Sequence, residues 1–335
     1  MKLKNIQAIL CAITLGIALN SCRSEVDIAG NYKETTVVYG LLNQYDTVQY
    51  VRIQKAFLVN DNILDYTKVP DSIYYKPEDL NVVIEKLNPN SYMVEQTITM
   101  TPTLLPKDSG IFASGNMLIY KTNAALDSSR IYRLKITNTK TGKVITGKTK
   151  LINGLVIKNP NSFTTTSVNF NPPSKNGYDV RWKPANNAVL YQVEITFSFT
   201  EINVITGETK PDSIVWTFAP IYRTGTGDIT YNLPQNSFFQ FVQEKVPYKE
   251  NVQRKIGKLN FKIYAGTDEL YQYTNINKPS TGLIQEKPLY TNIENGLGIF
   301  SARAFFLRKD VDLTKSPTRD TLRLGKYTGN LGFIE

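Results

Sequence analysis

The chain contains no histidine. That absence removes the Ser-His-Asp triad, the Cys-His dyad and every His-ligated zinc site, together with the usual near-neutral proton carrier. Acid–base work would therefore fall to carboxylates. Asp268 and Glu269 are adjacent, and neighbours on a strand point to opposite faces, so they make a poor pair for glycoside hydrolysis. Asp61, Asp65, Asp71 and Asp79 could offer oxygens to calcium, but their spacing matches no calcium loop. Gly296-Leu297-Gly298 lacks the third glycine and the following helix of a dinucleotide loop, and Thr224-Gly225-Thr226-Gly227-Asp228 lacks the lysine of a phosphate loop. No catalytic residue, metal or cofactor is expected. Tyr271, Tyr273 and Tyr290 fall in or near polar stretches, where exposed tyrosines stack on sugar rings or meet another protein. With Asn292 they form the candidate ligand-binding set; packing within the protein is the alternative.

Cysteine chemistry is more specific. The two cysteines are Cys11 and Cys22. Lys2 and Lys4 form a positive start, and Ile9 to Leu19 form an apolar run too short to span a bilayer. Leu19-Asn20-Ser21-Cys22 then resembles the bacterial lipobox, which directs lipid to the cysteine thiol and cleavage after Ser21. Residues 1–21 read as a signal peptide, Cys22 as the lipidated N-terminus, and residues 22–30 as a tether. Each buried methylene contributes about 0.8 kcal/mol, so several acyl chains hold a protein durably on a membrane. Loss of Cys11 and acylation of Cys22 leave no disulfide and no free thiol. The tether segment Ser24-Glu25-Val26-Asp27 is mildly acidic, a partial match to the stretch that marks surface export in Bacteroidota-type lipoproteins. The expected location is the outer membrane, lipid-anchored, at the cell surface or the periplasmic face.

The body that this anchor would carry is β-rich. The 335 residues include 20 Tyr and 15 Phe among many Thr, Val and Ile, and 41% are hydrophobic, within the globular range. The formal charge is +10 and falls by two with the signal peptide, but the basic residues form no run of five, so solvated strand faces explain them and no nucleic-acid partner is expected. Thr35 to Leu42, Val48 to Gln54 and Val82 to Leu87 read as strands. Ile131 to Thr137, the turn Thr141-Gly142 and Val144 to Thr146 read as a hairpin. Asn159-Pro160-Asn161 and Asn171-Pro172-Pro173 interrupt the pattern. The expected fold is mainly β, with two antiparallel β-sandwich-like domains, 31–152 and 153–335. In the second, Trp182 and Tyr191 resemble the paired core aromatics of early fibronectin type III strands. One short helix is expected near 236–246, with Asn236 or Ser237 as N-cap. Leu259 to Gly266 and Gly298 to Leu307 return to strand.

Two segments are similar to one family. Val38-Tyr39-Gly40-Leu41-Leu42-Asn43 is followed by Val48 to Phe57, and much later comes Tyr290-Thr291-Asn292-Ile293-Glu294-Asn295-Gly296-Leu297-Gly298-Ile299-Phe300. The pair resembles Bacteroidota envelope lipoproteins of the domain of unknown function 4249 family. The resemblance implies company with a TonB-dependent outer-membrane transporter and carries no activity or catalytic residue. Physically the late segment is a turn feeding a strand, with Gly296 and Gly298 free to take positive φ or to admit close backbone approach. The leading functional expectation is a membrane-anchored, non-catalytic binding or assembly lipoprotein that contacts an outer-membrane partner or holds a glycan or peptide. The alternatives are a carboxylate-based glycan hydrolase and a structural or adhesive module.

Overall fold

Alternation of apolar and polar side chains builds most of the molecule, because successive strand residues face opposite sides. The computed structural model describes residues 35–56, 73–106, 116–161, 163–173, 176–277 and 289–335. Ser21, Cys22, the tether and Asp61, Asp65 and Asp71 lie outside the described residues. The earlier strands are β1 (Thr35–Leu42), β2 (Gln49–Ala56), β3 (Leu80–Leu87), β4 (Val94–Thr99), β5 (Thr101–Pro106), β6 (Asn116–Thr122), β7 (Ile131–Asn138) and β8 (Val144–Lys150). The later ones are β9 (Val156–Asn159), β10 (Ser167–Val168), β11 (Tyr178–Lys183), β12 (Leu190–Asn203), β13 (Thr209–Thr217), β14 (Ile221–Tyr222), β15 (Ile229–Leu233), β16 (Val252–Gly266), β17 (Ile293–Glu294), β18 (Leu297–Leu313) and β19 (Phe333–Ile334). Three α-helices join them among the described residues, α1 (Ser237–Lys245), α2 (Asp268–Ile276) and α3 (Asp320–Leu324), beside a 3-10 turn at Pro77–Asp79 and a π-helical turn at Lys315–Arg319.

The protein is mainly β and sandwich-like. One large sheet runs β13-β12-β16-β18-β1-β2-β6-β5, with β10, β14 and β19 attached; a second runs β17-β8-β7-β3-β4, and a third β15-β11-β9. Two cores form against different halves of the large sheet. In the first, Val38, Leu42, Val51, Tyr120 and Phe300 meet Val82, Ile84, Leu134, Ile136 and Ile145 of the five-stranded sheet. In the second, Tyr191, Val193, Ile195, Phe261 and Ile263 meet Val180, Trp182 and Leu233 of the three-stranded sheet, and Phe238, Phe239 and Val242 of α1 close the side.

The strand β18 belongs to both. Its first residues run parallel to β1, pairing Val38 with Gly298 and Gly40 with Phe300. Its later residues run antiparallel to β16, pairing Phe305 with Tyr264 and Val311 with Leu259. Ile293 and Phe300 therefore pack in the first core although they lie far down the chain. The two sequence segments that resemble one family are thus neighbours in space. Glycine is required at both contact points. A Cβ on Gly40 would stand 2.8 Å from the Phe300 ring, and Gly298 has φ of 103° with the Val38 carbonyl 2.0 Å from where a Cβ would be.

Most expected strands and the hairpin stand where the sequence places them, with the 131–138 and 144–150 strands paired antiparallel. The expected helix is α1. Asn236 holds its N-cap position but makes no side-chain cap bond. Instead Asn236 and Asn171 exchange hydrogen bonds: the Asn236 N–H donates to Asn171 Oδ1 at 2.9 Å, and Asn171 Nδ2 donates to Asn236 Oδ1 at 3.0 Å. The expectation of a single helix is corrected by α2. The sequence pattern predicts strand or loop for its Asp268-Glu269 start and its tyrosines; in the structure they form a helix packed on β18 and β12.

Candidate functional site

The place where the two cores meet is built by the turn before β12. Trp182 on β11 and Tyr191 on β12 face one another across the second core, ring centroids 5.8 Å apart, the contact that the fibronectin type III resemblance implies. The buried Tyr191 hydroxyl accepts a hydrogen bond from the Ala185 N–H at 3.0 Å and donates to the Ala188 carbonyl at 3.3 Å, which fixes the intervening turn. That turn is then stapled to the end of β8. The Asn186 N–H donates to the Asn153 carbonyl at 2.8 Å, and Asn187 Nδ2 donates to the Leu151 carbonyl at 2.9 Å. Asn187 sits at φ of 60°, a conformation asparagine tolerates better than most residues.

Beside this staple lies a cleft of about 530 Å3 lined by Lys148, Thr149, Lys150, Asn187, Arg223 and the start of α2. This is the size of a small-ligand site. Arg223 and Asn187 also line a second cavity of about 710 Å3, with Lys158, Lys183, Asn186 and Asp228. The shared pair stands at the neck of one longer groove. Arg223 is held there by its N–H bond to the Val189 carbonyl at 2.8 Å and by Nε donating to the Gly225 carbonyl. Lys158 is paired with Asp228 at 2.6 Å. Among the described residues no carboxylate lies within ion-pair distance of Lys148, Lys150, Lys183 or Arg223.

Asp268 and Glu269 occupy the opposite wall of the cleft. Being on α2 rather than on a strand, both reach the same space, so the strand argument against them does not hold. The buried Thr267 hydroxyl bonds to Ser301 Oγ at 2.6 Å and donates to the Glu269 carboxylate, which fixes Glu269 at the wall.

The candidate ligand-binding residues surround α2 without lining the cleft. Tyr271 stacks on Tyr222 with centroids 4.0 Å apart, and Tyr273 meets Tyr39 edge-on at 6.3 Å. Burial, then the neighbouring Tyr39 hydroxyl, push the Tyr273 phenol up to about 12. Burial also raises Tyr290, with further upward pressure from Glu269 and Asp268. Asn292 spends its amide on the protein. Its Oδ1 accepts from the Phe300 N–H at 2.9 Å, and its Nδ2 donates to the Phe300 carbonyl at 2.6 Å and the Lys148 carbonyl at 3.3 Å. It thereby substitutes for a missing strand between β18 and β8. The groove residues Lys148, Lys150, Lys183, Asn187 and Arg223 carry no local signature, because they converge only after both cores form.

Among the described residues, no group of three or more cysteine, aspartate or glutamate side chains is placed to hold a metal ion, and no helix is long and apolar enough to cross a membrane. A family model described as "Domain of unknown function (DUF4249)" matches residues 23–305. No curated protein matches the chain.

Proposed function

Since this chain belongs to the DUF4249 family, we propose that it is a membrane-anchored, non-catalytic binding or assembly lipoprotein of a Gram-negative envelope. In this reading it is anchored at the outer membrane through acylated Cys22 and works as companion to a TonB-dependent outer-membrane transporter. The observation that carries the proposal is the groove at the junction of the two cores. Its walls come from both halves of the molecule, with Lys148 and Lys150 on β8 and Lys183 on β11, and Arg223 is tied by its N–H to the Val189 carbonyl just after the stapled turn. Such a preformed, charged recess suits recognition. The lipobox supplies the anchor and the family resemblance supplies the transporter. The test is crosslinking of the natively acylated protein in intact envelopes. A stable complex with an outer-membrane transporter, together with a diacylated or triacylated N-terminal cysteine by mass spectrometry, supports the proposal. An unmodified Cys22 behind an uncleaved leader, or monomeric protein with no captured transporter, removes it.

A glycan hydrolase is the second reading, because Asp268 and Glu269 face one cleft. Retaining and inverting hydrolases both need two carboxyl groups across the scissile bond. Release of reducing ends from a glycan, abolished by Glu269→Gln, would establish it. Binding without any cleavage would remove it.

A further inference from the structure

The groove also carries information about what it holds. Its cations are distributed along its length: Lys148 and Lys150 at one end, Arg223 at the neck and Lys183 at the other end. The polar groups between them are the amides of Asn186 and Asn187 and the Thr226 hydroxyl, beside the apolar Ile131, Ala188 and Val189. An aromatic ring stands at the first end. Tyr92, at the tip of the β3–β4 hairpin with φ of 57°, is 58% exposed and lines the cleft.

We propose that this groove binds a linear acidic oligosaccharide, whose carboxylates meet the spaced cations while its hydroxyls meet the amides and its first ring stacks on Tyr92. The proposal rests on the reading of the groove as a ligand site. Charge-assisted bonds to a carboxylate are stronger than neutral ones, and an arginine presents a planar fork that matches it. A hydroxyl-rich chain also suits the far wall, because Asp268 and Glu269 accept hydrogen bonds from neutral sugar positions. An apolar peptide fits less well, since the second cavity offers it chiefly lysine, asparagine and threonine side chains. An acidic peptide would gain the cations, and its backbone would match the amides, but a run of acidic residues gives Tyr92 no ring to stack on.

The test is calorimetric titration of the purified full-length protein with a galacturonic acid hexamer, beside the neutral galactose hexamer and an oligoglutamate of equal charge. The acidic hexamer is expected to bind at least tenfold more tightly than either control and to weaken as salt rises. The double variant Lys148→Gln/Lys150→Gln changes two exposed side chains and should keep the melting temperature while weakening binding about tenfold; Arg223→Gln should do the same. Equal binding of the neutral hexamer, or tighter binding of oligoglutamate, overturns the ligand class and leaves the binding reading standing. Binding of the acidic hexamer that is untouched by these variants also overturns the proposal, because the sugar then sits elsewhere. Failure of all three probes, with no groove residue perturbed in amide spectra, removes the proposal and the groove's role together.

Discussion

At the scale of single residues, two polar side chains decide more than their size suggests. Asn292 replaces a stretch of missing strand, and its three hydrogen bonds reach two different sheets. Asn292→Ala should therefore cost about 1–3 kcal/mol, the usual penalty for leaving buried partners unmet, and Asn292→Asp should cost at least as much, because it sets an acceptor against the Phe300 carbonyl. Urea denaturation checks both, and an unchanged midpoint would show that water replaces the amide. Glu201 is the other. Its carboxylate receives Lys249 at 2.8 Å and the fully buried Arg254 at 3.0 Å. Burial pushes its carboxyl up, but the hydrogen bonds from Lys249 and Arg254 outweigh burial and hold it below the ordinary carboxylate value. A depressed folded pKa contributes stability above the unfolded value, and that contribution is lost as pH falls through the folded one. The fold should thus lose stability below about pH 4.5, and Glu201→Gln should flatten that acid limb. The same variant should cost about 3 kcal/mol at neutral pH, because Arg254 keeps its carbonyl partners but loses its counter-charge.

At the scale of elements, the sheet edges are guarded. The outermost strand β13 carries Lys210, Pro211 and Asp212; β5 carries Pro102 and Pro106; and β4 presents Glu95, paired to Arg130 at 2.7 Å. Proline and charge on an edge discourage pairing with another chain. Lys210→Thr combined with Pro211→Thr should raise self-association in sedimentation velocity without shifting the melting temperature by more than a few degrees. A variant that stays monomeric at high concentration would show that the twist of the long β12–β13 ribbon protects the edge instead. Strands such as β2 and β7 were legible in the sequence because their side chains alternate every second residue, whereas these edge strands, exposed on nearly every residue, were not. The helix α2 was not legible, because Asp268 to Ile276 carries Tyr271, Tyr273, Thr274 and Ile276, which favour strands. What holds it helical is distant in sequence: Tyr222 under Tyr271 and Tyr39 beside Tyr273.

For the whole molecule, the decisive contact is the parallel seam between β1 and β18. It was hidden from sequence reading, since nothing local tells residue 38 that its neighbour is residue 298. The groove was hidden for the same reason, whereas the Trp182–Tyr191 pair was legible through a resemblance to fibronectin type III strands. The seam makes the two cores parts of one continuous sheet. A fragment of residues 31–152 lacks Ile293 and Phe300 from its core, along with the strand beside β1. It should show no cooperative thermal transition, while the full body should melt in one step by calorimetry and by circular dichroism. Two separate transitions in the full body would show that the cores are independent. The seam also sets a timetable. β1 is made early, yet the strand that flanks it is complete only when residue 302 has been added. Such distant pairing folds slowly. The first core accordingly cannot close until nearly all of the polypeptide has been made, because Ile293 and Phe300 belong to it.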